Sequence, residues 1–122
     1  MKLGVPMEPD GETRVAIAPS SMKKLLKAGF EVLIEKNAGK ASNYLDADYE
    51  SAGAKMVSRK DVLECDTIIS IRFPGIEGVS KGTRIACVAD PFRNPQHVQS
   101  CIDAGITLLS MDMIPRRLSR AQ

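Results

Sequence analysis

Short apolar runs alternate with amphipathic stretches along all 122 residues, the pattern expected of strands and helices taken in turn. Leu3-Gly4-Val5 predicts a first strand, ended by Pro6, whose missing N–H cannot serve a central ladder. Ser20 or Ser21 can cap a helix reaching Lys27. Its apolar positions Met22, Leu25 and Leu26 fall on one face at i, i+3 and i+4, and Gly29 is placed to end it. That spacing makes Leu26 a core residue. Residues 30–34 predict the second strand, and residues 37–43 a polar loop around Gly39. Asp46 can cap a short helix over residues 47–52, stopped at Gly53. Residues 55–57 form a marginal strand and residues 59–65 a short helix. Residues 66–72 are the clearest buried strand, closed by Pro74, and residues 85–89 are another. Asn94-Pro95 opens a helix that suits proline in its first turn, Gly105 closes it, and residues 106–110 are the last strand.

About six strand-plus-helix units predict an α/β fold: a doubly wound, mainly parallel sheet of about six strands with helices on both faces. Its class is Rossmann-like or flavodoxin-like, without a glycine-rich dinucleotide motif. The chain is one domain, and 43% hydrophobic residues suffice for a core, which must be aliphatic because aromatics are 4%. The same poverty of stacking faces argues against a nucleic-acid binder. Seventeen basic and fifteen acidic residues are intermixed, so the net charge of +2 selects no partner. Cys65, Cys87 and Cys101 read as small buried thiols in a reducing compartment. No apolar run reaches membrane-span length and the N-terminus makes a poor signal peptide, so the chain is expected to be cytosolic.

Candidate chemistry gathers where strands end, because ligands of open α/β sheets sit at the strands' carboxyl edge. Neither Gly-x-Gly-x-x-Gly nor a Walker phosphate loop occurs, and Gly75-Ile76-Glu77-Gly78 has the wrong spacing. A nucleotide would therefore be bound mainly by a domain outside this chain. Arg14 follows the first strand: it either grips a carboxylate, phosphate or carboxamide, or pairs with Glu12 or Asp10 on the surface. Arg72 ends the most apolar strand, as a crevice group or as a snorkelling strand-end arginine. Asp90 and Asp112 follow the next and last strands and read best as caps of nearby helices or loops. His97, the sole histidine, lies near the start of a predicted helix and reads as a partly exposed surface residue rather than a general base. No clustered His or Cys suggests a metal.

Two stretches carry a resemblance. Gly4-Val5-Pro6 with Glu12-Thr13-Arg14-Val15-Ala16 and Pro19 is similar to the opening shared by the alpha subunit of proton-translocating NAD(P) transhydrogenase and by alanine dehydrogenase. Lys27-Ala28-Gly29-Phe30-Glu31-Val32 and Ser51-Ala52-Gly53-Ala54 run parallel to the same family. The terminal Pro115-Arg116-Arg117-Leu118-Ser119-Arg120-Ala121-Gln122 resembles the transhydrogenase "Pro-Arg-Ile-Ser-Arg-Ala-Gln" signature. Alanine dehydrogenase usually has a catalytic histidine where this chain has Asp90-Pro91, and a lysine near the place of Arg72. That departure favours transhydrogenase, on the expectation that no other histidine replaces the lost acid/base.

The resemblance implies residue roles as well. Counting back from the glutamine, the nicotinamide-site arginine and glutamine fall on Arg117 and Gln122, the catalytic and cofactor-binding candidates. Arg116 is second choice for the arginine because the run here is one residue longer. Arg14 and Arg72 are substrate-pocket candidates. The expected whole is an NAD(P) transhydrogenase that moves hydride between NADH and NADP+, coupled to proton translocation. Residues 1–122 are expected to be the N-terminal subdomain of its NAD(H)-binding component, forming one wall of the cleft and inactive alone. The Rossmann NAD-binding subdomain is expected beyond Gln122. The component is expected to be a homodimer, cytoplasmic and held at the inner membrane by membrane-spanning and NADP(H)-binding components. The alternatives are an alanine dehydrogenase-like amino-acid dehydrogenase and a non-catalytic α/β interaction module.

Overall fold

The structure, a computed structural model, describes residues 1–113. Six strands form one sheet: β1 (Lys2–Val5), β2 (Glu31–Glu35), β3 (Lys55–Val57), β4 (Thr67–Arg72), β5 (Arg84–Val88) and β6 (Thr107–Ser110). Every pairing is parallel and the order is β3-β2-β1-β4-β5-β6. Four helices connect them: α1 (Met22–Lys27), α2 (Asp46–Ser51), α3 (Arg59–Leu63) and α4 (Pro95–Ala104). The expected α/β class holds, and the sheet is wholly rather than mainly parallel.

Register assigns the faces. Leu3, Val5, Val32 and Ile34 point to the side of Met22 in α1 and Tyr49 in α2, one core. Gly4, Ile68, Ile85 and Leu108 are in register on the opposite side. There Leu63 of α3 and Cys101 of α4 complete a second core. At Gly4 the helix comes so close that an added Cβ would lie 2.5 Å from the Val62 carbonyl oxygen. Glycine is required here for close packing, not for its backbone angle. Tyr49 is fully buried, and its hydroxyl donates to the Ile17 carbonyl at 2.6 Å. All three cysteines are buried and free.

The two cores do not cover the sheet equally. On the α1/α2 side, Ile69, Ala86 and Leu109 stand in register across β4, β5 and β6; Ile69 packs at the edge of the first core, Ala86 is half-buried, and Leu109 is exposed. Leu109 is 54% exposed and Val88 43%, while Ile68 and Ile85 on the other face are fully buried. Parallel sheets are ordinarily covered on both faces, so among the described residues the β5–β6 edge is finished on one side.

Three expected helix details differ. Leu26 is 41% exposed, whereas Met22 is buried and Leu25 partly so. A six-residue helix seats only a narrow stripe on the sheet, and Leu26 lies instead over the Gly53 turn that ends α2. Ser21 occupies the N-cap of α1 without a side-chain cap, because a 3-10 turn at Pro19–Ser21 leads straight into the helix. Asp46 is the first residue of α2, not its cap. Its carboxylate accepts the Asn37 N–H at 2.9 Å, while Asp48 accepts the N–H of the N-cap Leu45 at 2.8 Å.

Candidate active-site cleft

In this strand order a crevice opens beyond the carboxyl ends of β1 and β4, where the direction of winding reverses. Dinucleotide-binding sheets keep it free with a tight glycine turn. Here the long connection from β1 to α1 runs through it, with two carboxylates turned inward. Glu8 is buried and accepts two consecutive backbone N–H groups, Ile71 at 2.9 Å and Arg72 at 2.8 Å. Glu12, with 7% of its side chain exposed, is shared by two arginines. Arg14 donates from Nε at 2.7 Å and Nη2 at 3.1 Å, and Arg72 donates from Nε at 3.1 Å. The Arg14 hydrogen bonds chiefly, with help from Arg72, bring the Glu12 carboxyl down to about 2. Two satisfied carboxylates thus occupy the connection from β1 to α1 at the sheet's carboxyl edge.

The main cleft, about 710 Å³, adjoins this cluster. One wall is the 9–12 loop, the floor is Arg72, Phe73, Val88 and Ala89, and the far wall is Asp90, Arg93, Asn94 and His97, with Asp112 at the rim. Asp90 adopts a left-handed φ of 46°. Its carbonyl accepts the N–H groups of Arg93 at 3.1 Å and Asn94 at 3.0 Å, closing the turn into α4. The Asp112 carboxylate accepts the Ser110 hydroxyl, and that hydroxyl's oxygen accepts the Ala89 N–H at 3.2 Å. Phe92, at the tip of the same turn, is 83% exposed. Burial pushes the Cys87 thiol beneath the cleft up to about 12, so it stays protonated.

His97 is partly exposed near the start of α4, as expected, but its ring also lines the cleft. Its ring stacks on Phe73, centroids 4.2 Å apart and planes 15° apart, and its Nδ1 is enclosed without a partner among the described residues. It is half-buried in the third position of α4, where it lines the cleft. A histidine therefore does share a cavity with Arg72 and Asp90.

Arg72 is at the cleft, as one of its two readings required. Arg14 is paired with Glu12 and does not line the cleft directly. Asp90 caps its loop through its carbonyl, its carboxylate lying 3.7 Å from Arg93. Arg116, Arg117 and Gln122 lie outside the described residues. Glu8 was missed, since nothing marks an acidic residue whose partners are backbone groups 63 and 64 positions away. Among the described residues, no three His, Cys, Asp or Glu are grouped to hold a metal, and no helix is long and apolar enough to cross a membrane.

Comparison with known proteins gives a consistent set. The NAD(P) transhydrogenase subunit alpha of Cereibacter sphaeroides is 34% identical over the whole chain, which spans 24% of that protein. The alanine dehydrogenase of Staphylococcus epidermidis is 41% identical over 61% of the chain, matching 20% of its own length. The crystal structure of transhydrogenase from Sinorhizobium meliloti superposes on the entire chain with a TM-score of 0.94 at 34% identity, covering 38% of that chain. This chain thus spans from about a quarter to two-fifths of the transhydrogenase chains it matches. Residues 4–122 match the family described as "Alanine dehydrogenase/PNT, N-terminal domain", and the chain belongs to that family.

Proposed function

We propose that this chain is the first subdomain of the NAD(H)-binding component of a proton-translocating NAD(P) transhydrogenase, and that its cleft forms one wall of the nicotinamide site. The observation that carries the reading is a cleft at the β1/β4 switch point in a chain similar to transhydrogenase alpha subunits over its whole length. The residues fit one end of a dinucleotide and not the other. Arg72, Asn94, Asp90 and Asp112 offer donors and acceptors suited to carboxamide and ribose groups. No glycine cradle receives a pyrophosphate, so that part falls to a glycine-rich subdomain elsewhere in the complete protein.

Bound NAD(H) supplies the hydride chemistry. This chain's task is to orient the ring and exclude water, with no proton transfer demanded of its own groups. Arg117 and Gln122 are the proposed nicotinamide-site residues, with Arg116 the second choice for the arginine, and Arg72 is the proposed pocket group, linked through Glu12 to Arg14. Homodimerisation, an NADP(H)-binding component, a membrane-spanning component and a place at the inner-membrane surface belong to the same proposal. Gln122→Asn in the complete protein should slow NADH-to-NADP+ hydride transfer with little change in thermal stability. Equal loss of both would remove Gln122 from the site. Calorimetry of residues 1–122 alone should find no tight NADH binding, and micromolar affinity would contradict the one-wall reading.

His97 favours a second reading, an amino-acid dehydrogenase with this histidine as acid/base beside Arg72. NAD+-dependent oxidative deamination of alanine by the complete protein would select it, and exclusive NADH-to-NADP+ exchange would eliminate it.

A further inference from the structure

We infer that Glu8 is a positioning residue of the cleft: its buried carboxylate holds the irregular end of β4 in the one shape that aims Arg72 at Glu12 and the cavity. The inference rests on the reading of Arg72 as a pocket group.

β1 pairs with β4 only at Leu3–Thr67 and Gly4–Ile68, and beyond Val5 the chain continues as Pro6. β4 runs on to Arg72 without that neighbour, and its register against β5 shifts between Ile69 and Arg72, the mark of a bulge. At such a bulge, consecutive N–H groups can point the same way, and both meet the two oxygens of Glu8. The carbonyl of Arg72 is held as well, accepting the Ser70 hydroxyl at 2.7 Å. Glu8 and Ser70 are two of the four buried polar residues among those described, and both grip the backbone of the same arginine. A buried carboxylate is costly unless charge-assisted hydrogen bonds compensate it. Here that compensation is spent on the strand end that carries Arg72.

The chemistry of an amide makes the test. In Glu8→Gln one oxygen still accepts, but the NH2 group opposes a second N–H donor. In the complete protein, Glu8→Gln should weaken NADH binding about tenfold, the equivalent of one charged hydrogen bond misdirecting Arg72. Because Glu8 acts through Arg72, the double variant Glu8→Gln/Arg72→Ala should bind no more weakly than Arg72→Ala alone. Amide hydrogen exchange at Ile71 and Arg72 should accelerate in Glu8→Gln and stay near wild type in Arg72→Ala. Glu8→Asp, which keeps the charge on a shorter stem, provides the same comparison if Glu8→Gln does not fold.

Additive losses of affinity, or wild-type affinity in Glu8→Gln while Arg72→Ala binds weakly, would overturn the inference and leave the role of Arg72 standing. Unchanged affinity in Arg72→Ala would fail the reading of Arg72 itself, and the assignment of Glu8 with it.

Discussion

At Glu12 one carboxylate answers two arginines, and this gives the cluster a defined response to acid. The folded chain favours the charged form, drawing the carboxyl from an ordinary 4.5 down to about 2. Its contribution is therefore complete above about pH 4.5 and is lost as pH falls towards 2. Thermal melting of the wild type and of Glu12→Gln should show the variant less stable at neutral pH, the two converging only near pH 2. Parallel curves throughout would mean that the pairing carries no stability. The Glu12–Arg14 pair was one of the alternatives the sequence left open for Arg14, its members being two positions apart. The third member, Arg72, was not, since it arrives from another strand. The stacking of His97 was hidden for a related reason: it depends on Phe73, which only the β4–β5 junction brings to α4.

Elements were more legible than their seating. All six strands and four helices fall within a few residues of the positions predicted from apolar runs and from Pro and Gly punctuation. The terminators Gly29, Gly53 and Gly105 each adopt the positive φ that a helix exit demands. Strand order was not readable, because parallel neighbours are chosen by crossovers rather than by the strands' own patterns. The β4 bulge was invisible because side chains from elsewhere maintain it. The orientation of α1 was judged wrongly at Leu26. Met22→Ala should cost about 2–5 kcal/mol, as expected for a fully buried side chain. Leu26→Ala should cost less than about 1 kcal/mol. Denaturant titration checks the pair, and comparable losses would mean that α1 is rotated from the position described.

For the molecule as a whole, the α/β class was plain from the alternation, but nothing in it foretold that, among the described residues, one face of the β5–β6 edge would be left exposed. Among the described residues, Leu109 and Val88 put exposed apolar groups on one face of the parallel sheet, which favours association. Residues 1–122 alone should self-associate as concentration rises, and Leu109→Lys should weaken this in sedimentation analysis. Monodisperse behaviour of the unmodified chain at every concentration would show that these groups attract nothing. Val88 belongs to both surfaces, exposed at the end of β5 and part of the cavity floor. Among the described residues, the cavity is therefore open to the surroundings on the side of Val88. Any mass seated over Leu109 would also fence Val88, so a neighbour, as much as this chain, would set how much space a ligand finds there.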